Sequence, residues 1–199
     1  MKGAARTNGT KERILLTALR LFAQNGYEAV STSDIAGALG FTKGALYKHY
    51  RNKRAIFDSI LRRMEQRDTE QANEQEVPVG TAAEMPNAYR ETSLRQITAF
   101  SKAMFRYWTQ DDFAAQFRKM LTLEQFRNQE MGQLYQQYLA SGPLGYLTDL
   151  FISLDIPQAK EKAAEAYGAM FLLYSVYDAA EDKTAVLSLA DGCLERICQ

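Results

Sequence analysis

Residues 31–60 read STSDIAGALGFTKGALYKHYRNKRAIFDSI, a stretch dense in helix punctuation. Ser31 and Asp34 stand in the S-x-x-D relation of a capping box, which opens a short helix carrying Ile35, Ala36 and Leu39. Gly40 stops that helix after about two turns, and Phe41 follows as an apolar residue. Thr42 caps a second short helix predicted to run to about Tyr50, and Asn52 caps a longer one striped by Ala55, Ile56, Ile60 and Met64. Two short helices across a tight glycine turn are what a helix-turn-helix requires.

Upstream, Thr10 caps a helix with Ile14, Ala18, Leu21 and Phe22 inward, and Asn25-Gly26 supplies its left-handed stop. Residues 1–9 read as a flexible basic arm and residues 10–52 as the helix-turn-helix head. Downstream, apolar residues recur at three- and four-residue spacing and no alternating β-branched runs occur, so the chain reads as all-α, with residues 53–199 a larger helical body. A linker at about 72–88, ANEQEVPVGTAAEMPNA, interrupts the helices with two prolines and a glycine. Helices are then predicted from near Tyr89, at 112–121, 124–140 and 143–154, from Pro157 to about Ala180, and from Lys183 to Ile197.

The 199 residues are 46% hydrophobic and 24% charged, the composition of a folded globular chain. The formal net charge of zero hides a segregation. Through Arg67 there are 13 Lys or Arg against 5 Asp or Glu; beyond it, 11 against 19. A basic head wants a polyanion such as DNA. No signal peptide and no apolar run long enough to span a membrane is present, so a cytoplasmic protein without a membrane partner is expected. Cys193 and Cys198, five apart on one predicted helix, point about 140° from each other and are expected to stay reduced.

A helical wheel sorts the segment Thr42–Tyr50. Leu46 and Tyr50 define the inward side, Lys48 points away from it with Gly44 and Ala45 beside it, and Tyr47 and His49 flank. In a major groove, flanking groups meet phosphates and outward groups meet base edges. Tyr47 and His49 offer donors to phosphate, Ala45 suits a thymine methyl, and Lys43 or Lys48 can donate to guanine. Gly44 permits close backbone approach. Helix N-termini at Ser31, Thr32 and Asn52, with Lys53 adding a full charge, favour phosphate as well.

In Asp34-Ile35-Ala36, Gly40, Leu46-Tyr47, His49-Tyr50 and Lys53, residues 10–60 resemble the TetR family of bacterial repressors. The resemblance implies a three-helix DNA-binding head and a helical body that dimerises and binds a small-molecule effector. It implies phosphate contacts at Tyr47, His49 and Lys53 and base contacts at Lys43, Gly44 and Ala45, while the wheel favours Lys48. The choice between Lys43 and Lys48 stays open. The DNA-binding set is therefore Ser31, Thr32, Thr42, Lys43, Gly44, Ala45, Tyr47, Lys48, His49 and Lys53.

In the body, Phe100, Met104, Trp108, Phe117, Met120, Phe126, Tyr138, Tyr146 and Tyr174 are expected to line a pocket for an apolar or aromatic effector. Ala166, Met170, Tyr174, Val186, Ala190, Cys193, Leu194 and Ile197 are expected on a dimer face in which two helices meet their symmetry mates. A homodimer then holds two half-sites of a near-palindromic double-stranded operator. Repression released by effector is the leading function; an activator, or an effector-independent nucleoid-associated protein, is the alternative. An enzyme is not expected. The only histidine, His49, sits in the basic head, Glu124 and Glu130 lie on opposed helix faces, and neither zinc spacing nor a glycine-rich phosphate loop occurs. No cofactor and no metal is expected.

Overall fold

Side chains that answer unpaired backbone groups set the helix boundaries in this computed structural model, which describes residues 2–196. Ser31 Oγ accepts from the Asp34 amide at 3.2 Å while Asp34 Oδ2 accepts from the Ser31 amide at 2.7 Å. Thr42 Oγ1 accepts from the Ala45 amide, and Asn52 Oδ1 from that of Ala55. Gly26 and Gly40, with φ of +86° and +68°, make the left-handed stops that Cβ-bearing residues resist. Among the described residues the chain is all-α, with eleven helices and no strand.

The chain divides into two compact units, Met1–Gln66 with Phe113–Gly132, and Arg67–Asp112 with Gln133–Gln199. The first holds α1 (Lys2–Asn25), α2 (Thr32–Ala38), α3 (Lys43–Tyr47), the opening turns of α4 (Lys53–Glu74), nearly all of α7 (Asp112–Glu124) and the start of α8 (Gln129–Leu139). Its core is Ile14, Phe22, Ile35, Leu46, Ile56, Phe57 and Ile60, joined by Phe117, Met120 and Leu121 from α7, all fully buried. Each large apolar side chain removed from water there is worth about 1.5–3 kcal/mol. Arg54 clamps Glu130 through both terminal nitrogens, at 2.6 and 2.8 Å, and Arg63 pairs with Glu12 while lying over the Phe113 ring.

The second unit holds the end of α4, α5 (Pro86–Glu91), α6 (Leu94–Gln110), the rest of α8, α9 (Ser141–Ser153), α10 (Ala159–Ala179) and α11 (Lys183–Glu195). Helix α10 packs against α9, α11 and α6, with Phe105 of α6 stacked on Tyr174 at 5.4 Å. Lys102–Glu195 and Arg106–Asp191 tie α6 to α11; as largely exposed pairs they contribute little, about 0–1 kcal/mol each.

Four sequence expectations move. Helix α1 begins at Lys2, so residues 2–9 continue it where an arm was expected, and Thr10 lies inside the helix. Helix α3 stops at Tyr47, leaving Lys48 and His49 in a turn. The helix expected from Tyr89 is two, because Ser93 and Gln96 form a capping box that starts α6 afresh. The boundary between units falls at Gln66 within α4, not at residue 53, and α7 joins the first unit although it lies in the sequence of the body.

Candidate functional sites

The α2–turn–α3 unit exposes one polar face. Leu46 is fully buried and Tyr50 nearly so, as the wheel requires, which turns Lys43, Gly44, Tyr47 and Lys48 to the surface and leaves Thr32, Ala45 and His49 half-buried. Nothing approaches a Cβ built on Gly44, so another backbone can come close there. The Tyr47 hydroxyl lies 3.2 Å from Thr32 Oγ1, joining the two helices, and the Lys43 ammonium lies 5.9 Å from the Tyr47 ring centre. His49 Nδ1 is shielded and has no hydrogen-bond partner among the described residues, which leaves Nε2 as its polar edge for an outside acceptor. Ser31 and Thr42 are occupied as caps, and the hydrogen bonds to Ser31 hold the Asp34 carboxyl below its usual range.

Lys53 stands differently from its expected phosphate role. Its ammonium donates to the carbonyls of Tyr27 at 2.9 Å and Glu28 at 3.3 Å and sits 4.3 Å from the Tyr27 ring centre. In this state it fixes the turn between α1 and α2. That turn is held from the other side by Glu124 of α7, 1% exposed, whose Oε1 accepts from the Tyr27 amide at 3.1 Å. Nothing in the sequence near Glu124 signals this role, since its partner is 97 residues away.

The second unit contains a cavity of about 740 Å³, within the range of small-molecule sites. Of the nine pocket residues expected from sequence, Phe100, Met104, Trp108, Tyr138, Tyr146 and Tyr174 line it. Phe117 and Met120 do not: they are core of the first unit, because α7 turns its apolar stripe there. Phe126 lies between α7 and α8, 91% exposed, where no helix carries it inward. Unexpected members include Tyr89, Tyr167 and the carboxylates Asp68, Glu84 and Asp149. Burial, with Asp149 and Glu84 adding, pushes the Tyr89 phenol up to about 12, and burial raises Tyr146 and Tyr167 further, so all three stay neutral.

The dimer residues expected from sequence are mostly interior. Met170, Tyr174, Val186, Ala190 and Leu194 are buried within the chain, so they cannot form an open face; Ala166 and Cys193 are half-buried, and Ile197 and Cys198 lie outside the described residues. The exposed apolar residues of the same helices are Phe171, Leu172 and Val176 on α10 and Leu189 on α11. Alternating with them are Gly168, Ser175, Ala179, Ala185, Ser188 and Gly192, also exposed.

A basic head with two short helices across a tight turn, joined to a helical unit that holds a roomy cavity, is the arrangement of a helix-turn-helix head on a helical body. Residues 14–60 match the family described as bacterial regulatory proteins, tetR family. The regulator AcrR of Shigella flexneri is 45% identical over 51 residues, 26% of this chain and 24% of that protein. Among solved structures, the fatty acid degradation regulator FadR from Bacillus halodurans superposes with a TM-score of 0.61 at 18% identity, covering 92% of this chain and 93% of that one. A SmeT–triclosan complex gives 0.60 at 16% identity, covering 95% and 90%. Residues 14–60 thus carry a tetR-family DNA-binding head, and the fold of the described residues is that of these solved regulators. In sequence it spans between 17% and 45% of the length of the first curated relatives it matches. No helix among the described residues is long and apolar enough to cross a membrane.

Proposed function

We propose that this chain is a cytoplasmic repressor that binds a near-palindromic DNA operator as a homodimer and is released by a small molecule held in the cavity of its second unit. The observation that carries the reading is the pairing of an exposed basic α2–α3 face with a roomy aromatic cavity in one chain. Gly44, Ala45 and one of Lys43 and Lys48 face base edges, while Tyr47 and His49, with the helix starts at Ser31, Thr32 and Thr42, meet phosphates; Lys53 holds the turn behind them.

Helices α10 and α11 supply the two-fold interface. Their exposed stripe of Phe171, Leu172, Val176 and Leu189, interleaved with small residues, suits close packing of two helices against their mates in a four-helix bundle. Such a dimer offers two reading helices to half-sites roughly 34 Å apart. Release follows from chain continuity. Asp68, Thr69 and Ala72 of α4 line the cavity, and the same helix begins in the first unit; Trp108 lines it from α6, and α7 follows four residues later. Effector and DNA must weaken each other's binding by the same factor.

Selection of bound sequences from a random DNA pool tests the reading directly, with a palindrome expected. A pool that returns no motif would refute sequence-specific regulation. Repeating the selection with Lys43→Ala and Lys48→Ala separates the two lysines: the base-reading one relaxes preference at one position per half-site, the other leaves the motif intact. Tyr47→Phe removes a hydrogen bond to a charged acceptor worth about 1.5 kcal/mol, so binding to operator and random DNA should each weaken about tenfold per half-site. A loss confined to the operator would contradict a phosphate contact.

A further inference from the structure

The residues lining the cavity of the second unit include three carboxylates, Asp68, Glu84 and Asp149, and no lysine, arginine or histidine. Taking that cavity as the effector site, as proposed above, its walls define the charge of what enters. The carboxylate of Asp149 is half-buried and makes no ion pair or side-chain hydrogen bond among the described residues. Glu84 uses one oxygen, Oε2, to accept from the Thr81 amide and hydroxyl at 2.9 Å each. Its other oxygen is left for a further donor.

The aromatic wall has the matching polarity. Tyr146 lies edge-to-face with both Tyr89 and Phe100, each at 5.9 Å between centroids. The hydroxyls are spent elsewhere: Tyr146 donates to the Pro78 carbonyl at 2.9 Å and Tyr89 to that of Gly80 at 3.0 Å. Tied to the loop, these O–H donors are not left for an anion, and an aromatic ring attracts a cation to its face through its quadrupole. One feature opposes this polarity. The first turn of α9, with Gly142 on the wall, brings the positive end of a helix dipole. That end amounts to about half a charge, against the carboxylates of Asp149 and Glu84 on the same cavity. An anionic ligand would also meet a carboxylate, and one like charge at about 6 Å in an effective dielectric of about 20 weakens binding about a hundredfold.

We propose that the effector is an organic cation, an ammonium or amidinium on an apolar body, with its charge seated between Asp149 and the rings of Tyr89 and Tyr146. The apolar body extends along Met104 and Trp108, which line the same cavity. Glu84, near Tyr89, stabilises the positive end from the loop that precedes α5.

The chain's single tryptophan, Trp108, lines the cavity and reports occupancy by its fluorescence. Three probes of matched length are titrated into the full chain: 5-phenylpentylammonium, 5-phenylpentanol and 5-phenylpentanoate. The cation is expected to bind about tenfold tighter than the alcohol, and the carboxylate weakest. Asp149→Asn, whose melting temperature should match the native protein's, brings the cation to within about threefold of the alcohol and leaves the alcohol's affinity alone; Asp149→Glu keeps the preference. An alcohol or carboxylate bound as tightly as the cation would overturn the assignment of charge while leaving the cavity an effector site. An unchanged cation preference in Asp149→Asn would overturn the seat at Asp149. No saturable response to any probe would remove the effector-site reading itself, and this inference with it.

Discussion

Leu172→Asp is expected to give a folded monomer whose operator affinity is lower by about two orders of magnitude. Leu172 is 64% exposed on α10, so a charge there meets water in the single chain and costs little. In the proposed two-fold pair the same substitution appears twice on one face, alongside Phe171, Val176 and Leu189. The two carboxylates must then be desolvated without a partner, each next to its symmetry copy, at a combined cost of about 3 kcal/mol or more. That alone weakens association about a hundredfold. An operator with two half-sites gains from holding two heads at once, so loss of the dimer forfeits most of that gain. Light scattering reads the mass and gel shift reads the DNA. Leu172→Ala, which removes area without adding charge, should fall between the two. An Asp variant of unchanged mass and unchanged operator binding would take the interface off this face.

The dimer face also shows where sequence reading stops. The periodicity of α10 and α11 picks out their strongest apolar stripe, through Met170, Tyr174, Val186 and Leu194, and the chain uses that stripe for its own core. The signal for the other face was present in a weaker form. Phe171 and Leu172 follow Met170 directly, so α10 is apolar on more than one side, which is the mark of a helix buried twice. Residues 31–60 were legible because their determinants act over three or four residues: Ser31, Thr42 and Asn52 each cap an amide three positions on. The same chemistry at Ser93 and Gln96 was equally local and marks the break between α5 and α6. The cavity was legible where one helix carries it, at Phe100, Met104 and Trp108, but aromatic content does not say which of two cores a residue joins. Phe117 and Met120 belong to the first unit for that reason. The carboxylates of the cavity left only a trace in the sequence, the acidic excess beyond Arg67.

Gly26→Ala should destabilise the chain by about 3 kcal/mol, lowering the melting temperature by about 6–12 °C for a protein of this size. Two effects combine there. Gly26 has φ of +86°, where a residue with a Cβ pays about 1–2 kcal/mol in backbone strain. The added methyl also points at Glu124 Oε1, far inside contact distance, with Arg127 Nη1 3.3 Å away. Glu124 must swing aside, leaving the Tyr27 amide without its acceptor, a loss of about 1–3 kcal/mol for a buried donor. A double-mutant cycle separates the two. In a Glu124→Ala background the carboxylate is already gone, so Gly26→Ala should cost only its backbone strain, about 1 kcal/mol. Penalties that simply add would show that the methyl never displaces Glu124. The coupled outcome has a functional reading. Glu124 is the end of a helix that starts four residues after Trp108, and it anchors the turn that carries the chain from α1 into α2. In the proposed release mechanism, this hydrogen bond is the link by which a shift of α7 reaches the turn before α2. Glu124→Ala should therefore also weaken operator binding while leaving the Trp108 response to a cavity ligand intact.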